Sequence, residues 1–136
     1  MKEKPRFLDS ENPDWEGGAE LSALTHQGAS GYQGLERINT KCTMVEFWSD
    51  EVTAVCPVTG QPDLYSVLIT IFGGVSIESK SLKIYFVTLR GQGIFCEDLS
   101  RKIKEDVLEC VGAPEDAVSV TVTQKARGGI QIKAQS

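Results

Sequence analysis

The sequence predicts an α+β fold in which two helices cover one face of a four-stranded antiparallel sheet. Two observations predict it. Apolar residues alternate with polar ones in two segments before residue 72 and in two segments after residue 117, which is typical of strands. In two segments between residues 72 and 117, apolar residues recur every three or four positions, which is typical of helices. The predicted order is strand, strand, helix, helix, strand, strand. Two helices placed between two strand pairs can both pack on the same face of one sheet.

Residues 1–39 are predicted to form an irregular N-terminal arm, and residues 40–136 a single domain. The arm is rich in proline and glycine and shows little hydrophobic periodicity. We expect it to lie on the core of the domain or on a neighbouring subunit. His26 is the only histidine and falls in this polar segment, so we interpret it as an exposed or capping residue.

Regular structure is predicted to begin near Lys41, where the alternation of residues 42–47 indicates a first strand. A second strand is predicted over residues 65–71, which have an apolar residue at every other position. The loop of residues 56–63 joins the two strands. Gly73 and Gly74 end the second one.

Two helices are predicted next, over residues 78–90 and 95–111, because their apolar residues recur every three or four positions and glycine follows each. Residues 118–123 then alternate strictly, and so do residues 130–132. The turn Arg127-Gly128-Gly129 lies between them, so the last two strands are predicted to form a hairpin.

The octet that begins at Cys56 and ends at Asp63 reads Cys-Pro-Val-Thr-Gly-Gln-Pro-Asp. Its two prolines fix φ and Gly60 permits a tight reversal, so the loop can bring the carboxylate near the sulfur. A thiol beside a proton acceptor is the arrangement that covalent catalysis needs. A surface turn with a small cysteine and a capping aspartate would explain the octet equally well.

Two further motifs decide between these interpretations. Residues 77–85 read Ile-Glu-Ser-Lys-Ser-Leu-Lys-Ile-Tyr, and residues 93–98 read Gly-Ile-Phe-Cys-Glu-Asp. With the octet, and in the same order, they resemble the 7-cyano-7-deazaguanine reductases, the NADPH-dependent nitrile reductases of queuosine biosynthesis, in their shorter, single-module form. The resemblance runs from about Val52 to Ile132.

The resemblance implies the tunnelling fold, in which several subunits close a barrel and two rings, such as pentamers, face each other. The predicted sheet has two open edges and a second face that carries some apolar residues, and ring assembly would cover both. The pattern of the sequence alone indicates a homo-oligomer and fixes no number of subunits.

Cys56 and Asp63 are predicted to be the catalytic residues. A nitrile carbon accepts hydride poorly, whereas a thioimide formed by addition of the Cys56 sulfur is a better electrophile. Asp63 is expected to accept the thiol proton and then to deliver it to the nitrile nitrogen, because an aspartate is rarely protonated near pH 7.

The resemblance implies that Glu97, at the start of the second helix, anchors the N–H edge of the deazapurine ring. A first-turn acid favoured by the helix dipole is the alternative interpretation of this residue. Glu78, with Ile77 and Ser79, is expected to contact the same ring from the other side or from an adjacent subunit.

Cys96 departs from the family pattern, which usually has histidine immediately before the anchoring glutamate. That histidine is thought to touch the substrate and to help move protons during the later reduction. Cys96 is expected to lie close to the substrate and to Cys56. It either replaces the imidazole weakly or forms a reversible disulfide with Cys56 that protects the catalytic sulfur, and we favour the disulfide.

The resemblance also implies NADPH as the cofactor. Lys80 and Lys83 lie three residues apart beside Ser79 at a helix N-terminus, which is a credible site for its phosphates. Arg127 and Gly128 belong to a second predicted anion-binding turn. No G-x-G-x-x-G follows a strand, so the cofactor is expected to bind outside a Rossmann domain.

Composition limits the function classes. The net charge of −5 argues against direct binding of nucleic acid, so any link to RNA is expected through a small-molecule precursor. No apolar run has membrane-spanning length and no signal peptide is recognisable, which predicts a cytoplasmic protein without membrane contact. The four cysteines form no C-x-x-C pair, so no metal site is expected.

Two alternative functions remain open. An amidinotransferase-like enzyme would form the same thioimide and add ammonia to it, but such enzymes lack the Glu-Ser-Lys-Ser-x-Lys motif that this chain has at residues 78–83. A non-catalytic protein would bind the deazapurine without turnover, its chemistry lost through Cys96.

Overall fold

The computed structural model describes residues 33–136, and the rest of the predicted arm, with His26, lies outside the described residues. The helices and strands of the described part are numbered in chain order. They are β1 (Arg37–Asn39), β2 (Met44–Val55), β3 (Pro62–Phe72), β4 (Val75–Ile77), α1 (Ser79–Thr88), α2 (Cys96–Val111), a short 3-10 helix (Glu115–Ala117), β5 (Val118–Arg127) and β6 (Ile130–Gln135).

Strands β2, β3, β5 and β6 form one antiparallel sheet in that order, which is the predicted sheet. The β2–β3 and β5–β6 hairpins place sequential strands side by side, and β3 pairs with β5 across the helical segment. The pairing of β2 with β3 is irregular between Ser49 and Val52. Such a bulge bends a strand and increases its twist.

The two helices agree with their predicted bounds to within two residues at each end. Glu78 is the N-cap of α1. Helix α2 ends at Gly112, whose φ of 66° lies in the left-handed region that glycine adopts without steric cost. No helix in the described part of the chain is long and apolar enough to cross a membrane.

The hydrophobic core lies between the sheet and the helices. Alternate residues of β3 and β5 face the helices and are buried, and α2 adds a stripe of apolar residues at helical spacing. The largest fully buried side chains come from both layers and are Val52, Tyr65, Val67, Ile69, Ile71, Ile77, Leu89, Leu99, Ile103 and Val107.

The second face of the sheet carries exposed apolar side chains, as predicted. Met44 and Phe72 are directly paired across β2 and β3, and both are more than 40% exposed. Trp48 is 65% exposed and Leu64 50%. Exposed apolar side chains grouped on one sheet face in this way favour an interaction surface, although the polar pair Glu46 and Thr70 lies among them.

A second, two-stranded sheet was not predicted. Strand β1 pairs antiparallel with β4, with Arg37 opposite Ile77, although Arg37–Asn39 lies in the segment predicted to be irregular. Three-residue strands carry no readable periodicity, and this pairing is distant in sequence. The pairing ties the start of the described chain to the residues just before α1, where the Glu78 N–H donates to the Glu36 carbonyl at 2.8 Å.

Candidate functional site

The turn between β2 and β3 holds Cys56 in place. The Cys56 N–H donates to the Gln61 carbonyl at 2.8 Å, and the Gly60 N–H donates to the Cys56 carbonyl at 2.9 Å. Gly60 has φ of 74°, a conformation that favours glycine. The chain then returns along β3, where Asp63 lies opposite Ala54 of β2. The chain therefore reverses between Cys56 and Asp63, as predicted, and the catalytic role of the two residues stays a prediction.

Hydrogen-bond donors surround the sulfur of Cys56. The Thr59 hydroxyl, the backbone N–H groups of Thr59 and Val58, and the Arg127 side chain together lower the pKa of the Cys56 thiol from 9.0 to about 7, against an opposing effect of burial. The Cys56 thiol therefore ionises more readily near neutral pH than an ordinary cysteine does. The turn thus contains an activated nucleophile.

Asp63 is buried beside this turn, with 4% of its surface exposed. The Nε atom of Arg127 lies 3.1 Å from Oδ1 of Asp63, and the Arg127 guanidinium also donates to the Gln61 side chain. The contact with Asp63 is a close ion pair without hydrogen-bond alignment, since Oδ1 has no hydrogen-bond partner among the described residues. Arg127 therefore links the thiol, the carboxylate and the turn.

The contacts of the Arg127 side chain differ from those that the sequence predicted. Arg127 was predicted to bind a cofactor phosphate together with Gly128, but its side chain is directed at Cys56 and Asp63. Gly128 (φ 61°) and Gly129 (φ 80°) form the tight turn between β5 and β6, as the hairpin prediction required. No spacing in the sequence connects Arg127 to the octet, so only the sheet pairing reveals this contact.

The segment before α2 runs beside the Cys56 turn. The Val55 N–H donates to the Gln92 carbonyl at 2.8 Å, and the Ile94 N–H donates to the Val55 carbonyl at 3.0 Å. Gly93 is so close that an added Cβ would lie 3.5 Å from Cα of Pro57. These contacts fix the first turn of α2, with the exposed Glu97, next to the nucleophile.

Cys96 is buried at the first position of α2, with 1% of its surface exposed. Its sulfur faces the sheet, 3.7 Å from the Val122 carbonyl oxygen and 3.9 Å from that of Ile132. Burial, and then the charge of Glu97, raise the pKa of the Cys96 thiol. Cys96 and Cys56 are both free thiols in this structure. The predicted disulfide between them stays a prediction.

Ile77 and Glu78 are held by the fold at the start of α1. Ile77 is part of the hydrophobic core, which leaves its backbone as the part that a ligand could contact. The Glu78 carboxylate accepts hydrogen bonds from the backbone N–H groups of Lys80 at 2.9 Å and Ser81 at 2.7 Å. This carboxylate therefore already occupies donors of the helix N-terminus that the predicted phosphate site would have used.

A groove of about 430 Å³ lies between α1 and β2. Ser79, Lys83 and Arg90 line it together with the aromatic side chains of Trp48 and Phe86. Cationic groups suit phosphates and aromatic walls suit a planar ring, so the chemistry of this groove matches that of a nicotinamide nucleotide. Lys80 is exposed and is not among the lining residues.

The predicted site residues fall into two groups within one subunit. Cys56, Asp63 and the start of α2 lie beside Gln92, just after the C-terminal end of α1. Residues 77–83 lie at the other end of the same helix, which is about 15 Å long at ten residues. Among residues 33–136 no group of three or more potential ligands that could hold a metal ion is present.

Comparison with known proteins assigns the chain to a family. A family model described as "QueF-like protein" matches residues 62–136, more than half of the chain. The chain belongs to the QueF-like family. The match includes Asp63, both helices and Arg127, whereas Cys56 lies just before its first residue.

Relatives in this family are named NADPH-dependent 7-cyano-7-deazaguanine reductase. That of Thermotoga maritima is 40% identical over 93 residues, which cover 67% of this chain and 66% of the relative. That of Frankia casuarinae is 38% identical over 119 residues, 85% of this chain and 94% of the relative. That of Chlorobium chlorochromatii is 38% identical over 87 residues, 63% of this chain and 73% of the relative.

A solved structure of the family has the same fold. The crystal structure of the archaeosine synthase QueF-Like in the apo form superimposes with a TM-score of 0.61, covering 71% of this chain and 94% of that chain. The two sequences are 22% identical, so the likeness concerns the fold alone. It confirms the predicted α+β tunnelling fold for a single subunit.

Proposed function

We propose that this protein reduces 7-cyano-7-deazaguanine to 7-aminomethyl-7-deazaguanine with two NADPH, through a thioimide on Cys56. The observation that carries the proposal is the activated thiol in a turn shared with Asp63 and Arg127. It occurs in a family whose relatives are named for this reduction.

The first step follows from the chemistry of the turn. The Cys56 sulfur adds to the nitrile carbon, so that a C–S bond forms and one π bond of the nitrile breaks. Asp63 accepts the thiol proton and passes it to the nitrile nitrogen, which gives a neutral thioimide. Burial of Asp63 keeps competing water away from this proton transfer.

The deazapurine ring is anchored by Glu97 in this proposal. Glu97 is exposed in the first turn of α2, which follows the segment that packs on the Cys56 turn. Its carboxylate accepts charge-assisted hydrogen bonds from the N–H groups of the base. Phe95, which is 50% exposed beside it, supplies an apolar wall. The ring is thereby held with its nitrile near the sulfur.

The cofactor is assigned to the groove between α1 and β2. NADPH, when bound, supplies hydride to the thioimide and again to the imine that follows. Lys83 and Ser79 hold its phosphates from the wall of the groove, and the exposed Lys80 adds positive charge at the same helix end. Trp48 and Phe86 provide flat apolar surface.

We also propose that the enzyme is a ring-forming homo-oligomer. Residues 77–83 of one copy would then complete the Cys56 site of another, because the two groups lie at opposite ends of α1 within one subunit. The exposed apolar sheet face supports assembly. A cytoplasmic location is proposed as well, since a reducing compartment keeps Cys56 free.

The deciding experiment is NADPH oxidation with the cyano substrate, monitored by absorbance, with Cys56→Ala as the control. We expect oxidation of two NADPH per amine formed and none in the variant. A product that requires ammonia and no NADPH would establish the amidinotransferase instead. Tight binding of the deazapurine without product or covalent adduct would establish the binding protein.

A further inference from the structure

The hydroxyl group of Tyr65 is buried beside the site and has no role in the chemistry described so far. Tyr65 is fully buried, and its hydroxyl has no hydrogen-bond partner among the described residues. A buried tyrosine hydroxyl normally finds a partner. This donor is therefore unexplained by the packing of the core.

Asp63 offers the complementary atom. Residues two apart on a strand point to the same face, so Asp63 and Tyr65 both project from β3 toward the helices. Oδ1 of Asp63 is also buried without a hydrogen-bond partner among the described residues. The same face of one strand thus presents a carboxylate oxygen that is paired with Arg127 by charge but accepts no aligned hydrogen bond, and a hydroxyl donor without an acceptor.

The groups around Tyr65 belong to the catalytic site. Burial, and then the charges of Asp63, Cys96 and Cys56, raise the pKa of Tyr65, while Arg127 opposes them. The hydroxyl consequently stays protonated throughout the pH range in which the protein works. Cys96 cannot serve as this donor, because its sulfur is directed at backbone carbonyls.

We propose that Tyr65 is a positioning residue, whose hydroxyl donates a hydrogen bond to Oδ1 of Asp63 in the working enzyme. Neither atom has another hydrogen-bond partner among the described residues, and catalytic hydrogen bonds are commonly long before substrate binds. The hydroxyl keeps its proton throughout. It aligns the carboxylate that carries the proton from Cys56 to the substrate nitrogen, a role that rests on the proposed function.

The test compares Tyr65→Phe with the wild-type protein. The rate of adduct formation with the cyano substrate, measured by intact mass without NADPH, should fall about tenfold, the usual effect of one lost hydrogen bond. The circular dichroism spectrum should stay unchanged, because the ring of Tyr65 keeps its place in the core.

A matched control is Tyr85→Phe. The Tyr85 hydroxyl donates to Asp106 at 2.6 Å, away from Cys56, so this variant should lose stability and keep the adduct rate. An unchanged rate of adduct formation in Tyr65→Phe, with adduct formed by the wild type, would overturn the role of Tyr65 and leave the proposed function standing.

A second measurement does not depend on the reaction. The carbon-13 chemical shift of the Asp63 carboxyl group at neutral pH should differ between Tyr65→Phe and the wild type, because a hydrogen bond to a carboxylate oxygen changes that shift. Equal chemical shifts would refute the hydrogen bond. If the wild-type protein forms no adduct, the proposed function is refuted. The NMR measurement would then still show whether Tyr65 donates a hydrogen bond to Asp63.

Discussion

At the residue scale, the reactivity of Cys56 is set by the donors of its own turn. We predict that alkylation of Cys56 by iodoacetamide rises through pH 7, in line with the pKa of about 7, and levels off above it. Thr59→Val removes the hydroxyl that contributes most to this shift. The midpoint of the alkylation profile should therefore move toward 9.0, the ordinary value for a thiol.

The measurement is cleanest in a variant with Cys42 replaced by serine, since Cys42 is exposed and would also react. Cys42→Ser should itself leave the midpoint unchanged. The same midpoint with valine as with threonine at position 59 would show that the backbone N–H groups and Arg127, and not the Thr59 hydroxyl, lower the pKa of Cys56.

Arg127 gives a second prediction at this scale. Arg127→Gln removes the positive charge that lies 3.1 Å from Asp63 and contributes to the lowered pKa of Cys56. Adduct formation with the cyano substrate should slow by an order of magnitude or more, as expected for loss of a buried charge partner. The exposed Lys125 lies on the same strand, and Lys125→Gln should not change the rate.

If Arg127 only binds the cofactor, a different result is expected for Arg127→Gln. Adduct formation without NADPH would then be equal in Arg127→Gln and the wild type, and only the NADPH concentration needed for half-maximal rate would rise. The two results separate the sequence prediction for Arg127 from the role that its contacts indicate.

Sequence alone predicted part of this site. The proximity of Cys56 and Asp63 was predictable because proline and glycine within one octet dictate a local reversal. Arg127 was named for another role, since its contact with Asp63 spans half the chain. Tyr65 was recognised only as a strand residue, because nothing in an alternating pattern distinguishes an unpartnered hydroxyl from ordinary core.

At the element scale, the contact between the Cys56 turn and the segment before α2 is a packing constraint. An added Cβ at Gly93 would lie 3.5 Å from Cα of Pro57, an ordinary van der Waals distance, so Gly93→Ala should be tolerated. Gly93→Leu places further atoms against the turn. We predict that the leucine variant loses adduct formation at least tenfold while the alanine variant keeps it.

Circular dichroism and melting temperature show whether the leucine variant still folds. A folded leucine variant with wild-type adduct formation would show that the turn moves freely and that this contact does not position Cys56. Retention of both rate and stability in Gly93→Ala is the matched control.

The elements differed in how well they could be predicted. The helices and the two hairpins follow local signals: Gly112 ends α2, and Gly128 and Gly129 form the last turn. The β1–β4 sheet depends on a non-local pairing of three-residue strands, for which the sequence offers no period. Its register is fixed by tertiary contacts such as that of Arg37 with the Val111 carbonyl, at 3.1 Å.

At the scale of the whole molecule, the apolar face of the sheet opposite the helices needs a partner. One subunit leaves Met44, Trp48, Leu64 and Phe72 between 43% and 65% exposed. Burial of such a face stabilises an assembly by roughly 25 cal/mol for each Å² of apolar area removed from water. We propose that this partner is a second copy of the chain. Within one subunit, residues 77–83 and the Cys56 site lie at opposite ends of α1, so residues 77–83 can contribute only to the Cys56 site of another copy.

Trp48→Glu tests this assembly. Trp48 is 65% exposed, so the substitution should leave the fold of the subunit intact, with an unchanged circular dichroism spectrum. A charge buried in a subunit contact lacks a partner, and we therefore predict dissociation to monomers in size-exclusion chromatography with light scattering. Glu109→Ala, on the exposed side of α2, should keep the wild-type mass and rate. A wild-type protein that is monomeric and active would contradict the shared site, and an oligomeric, active Trp48→Glu variant would show that assembly does not use this face.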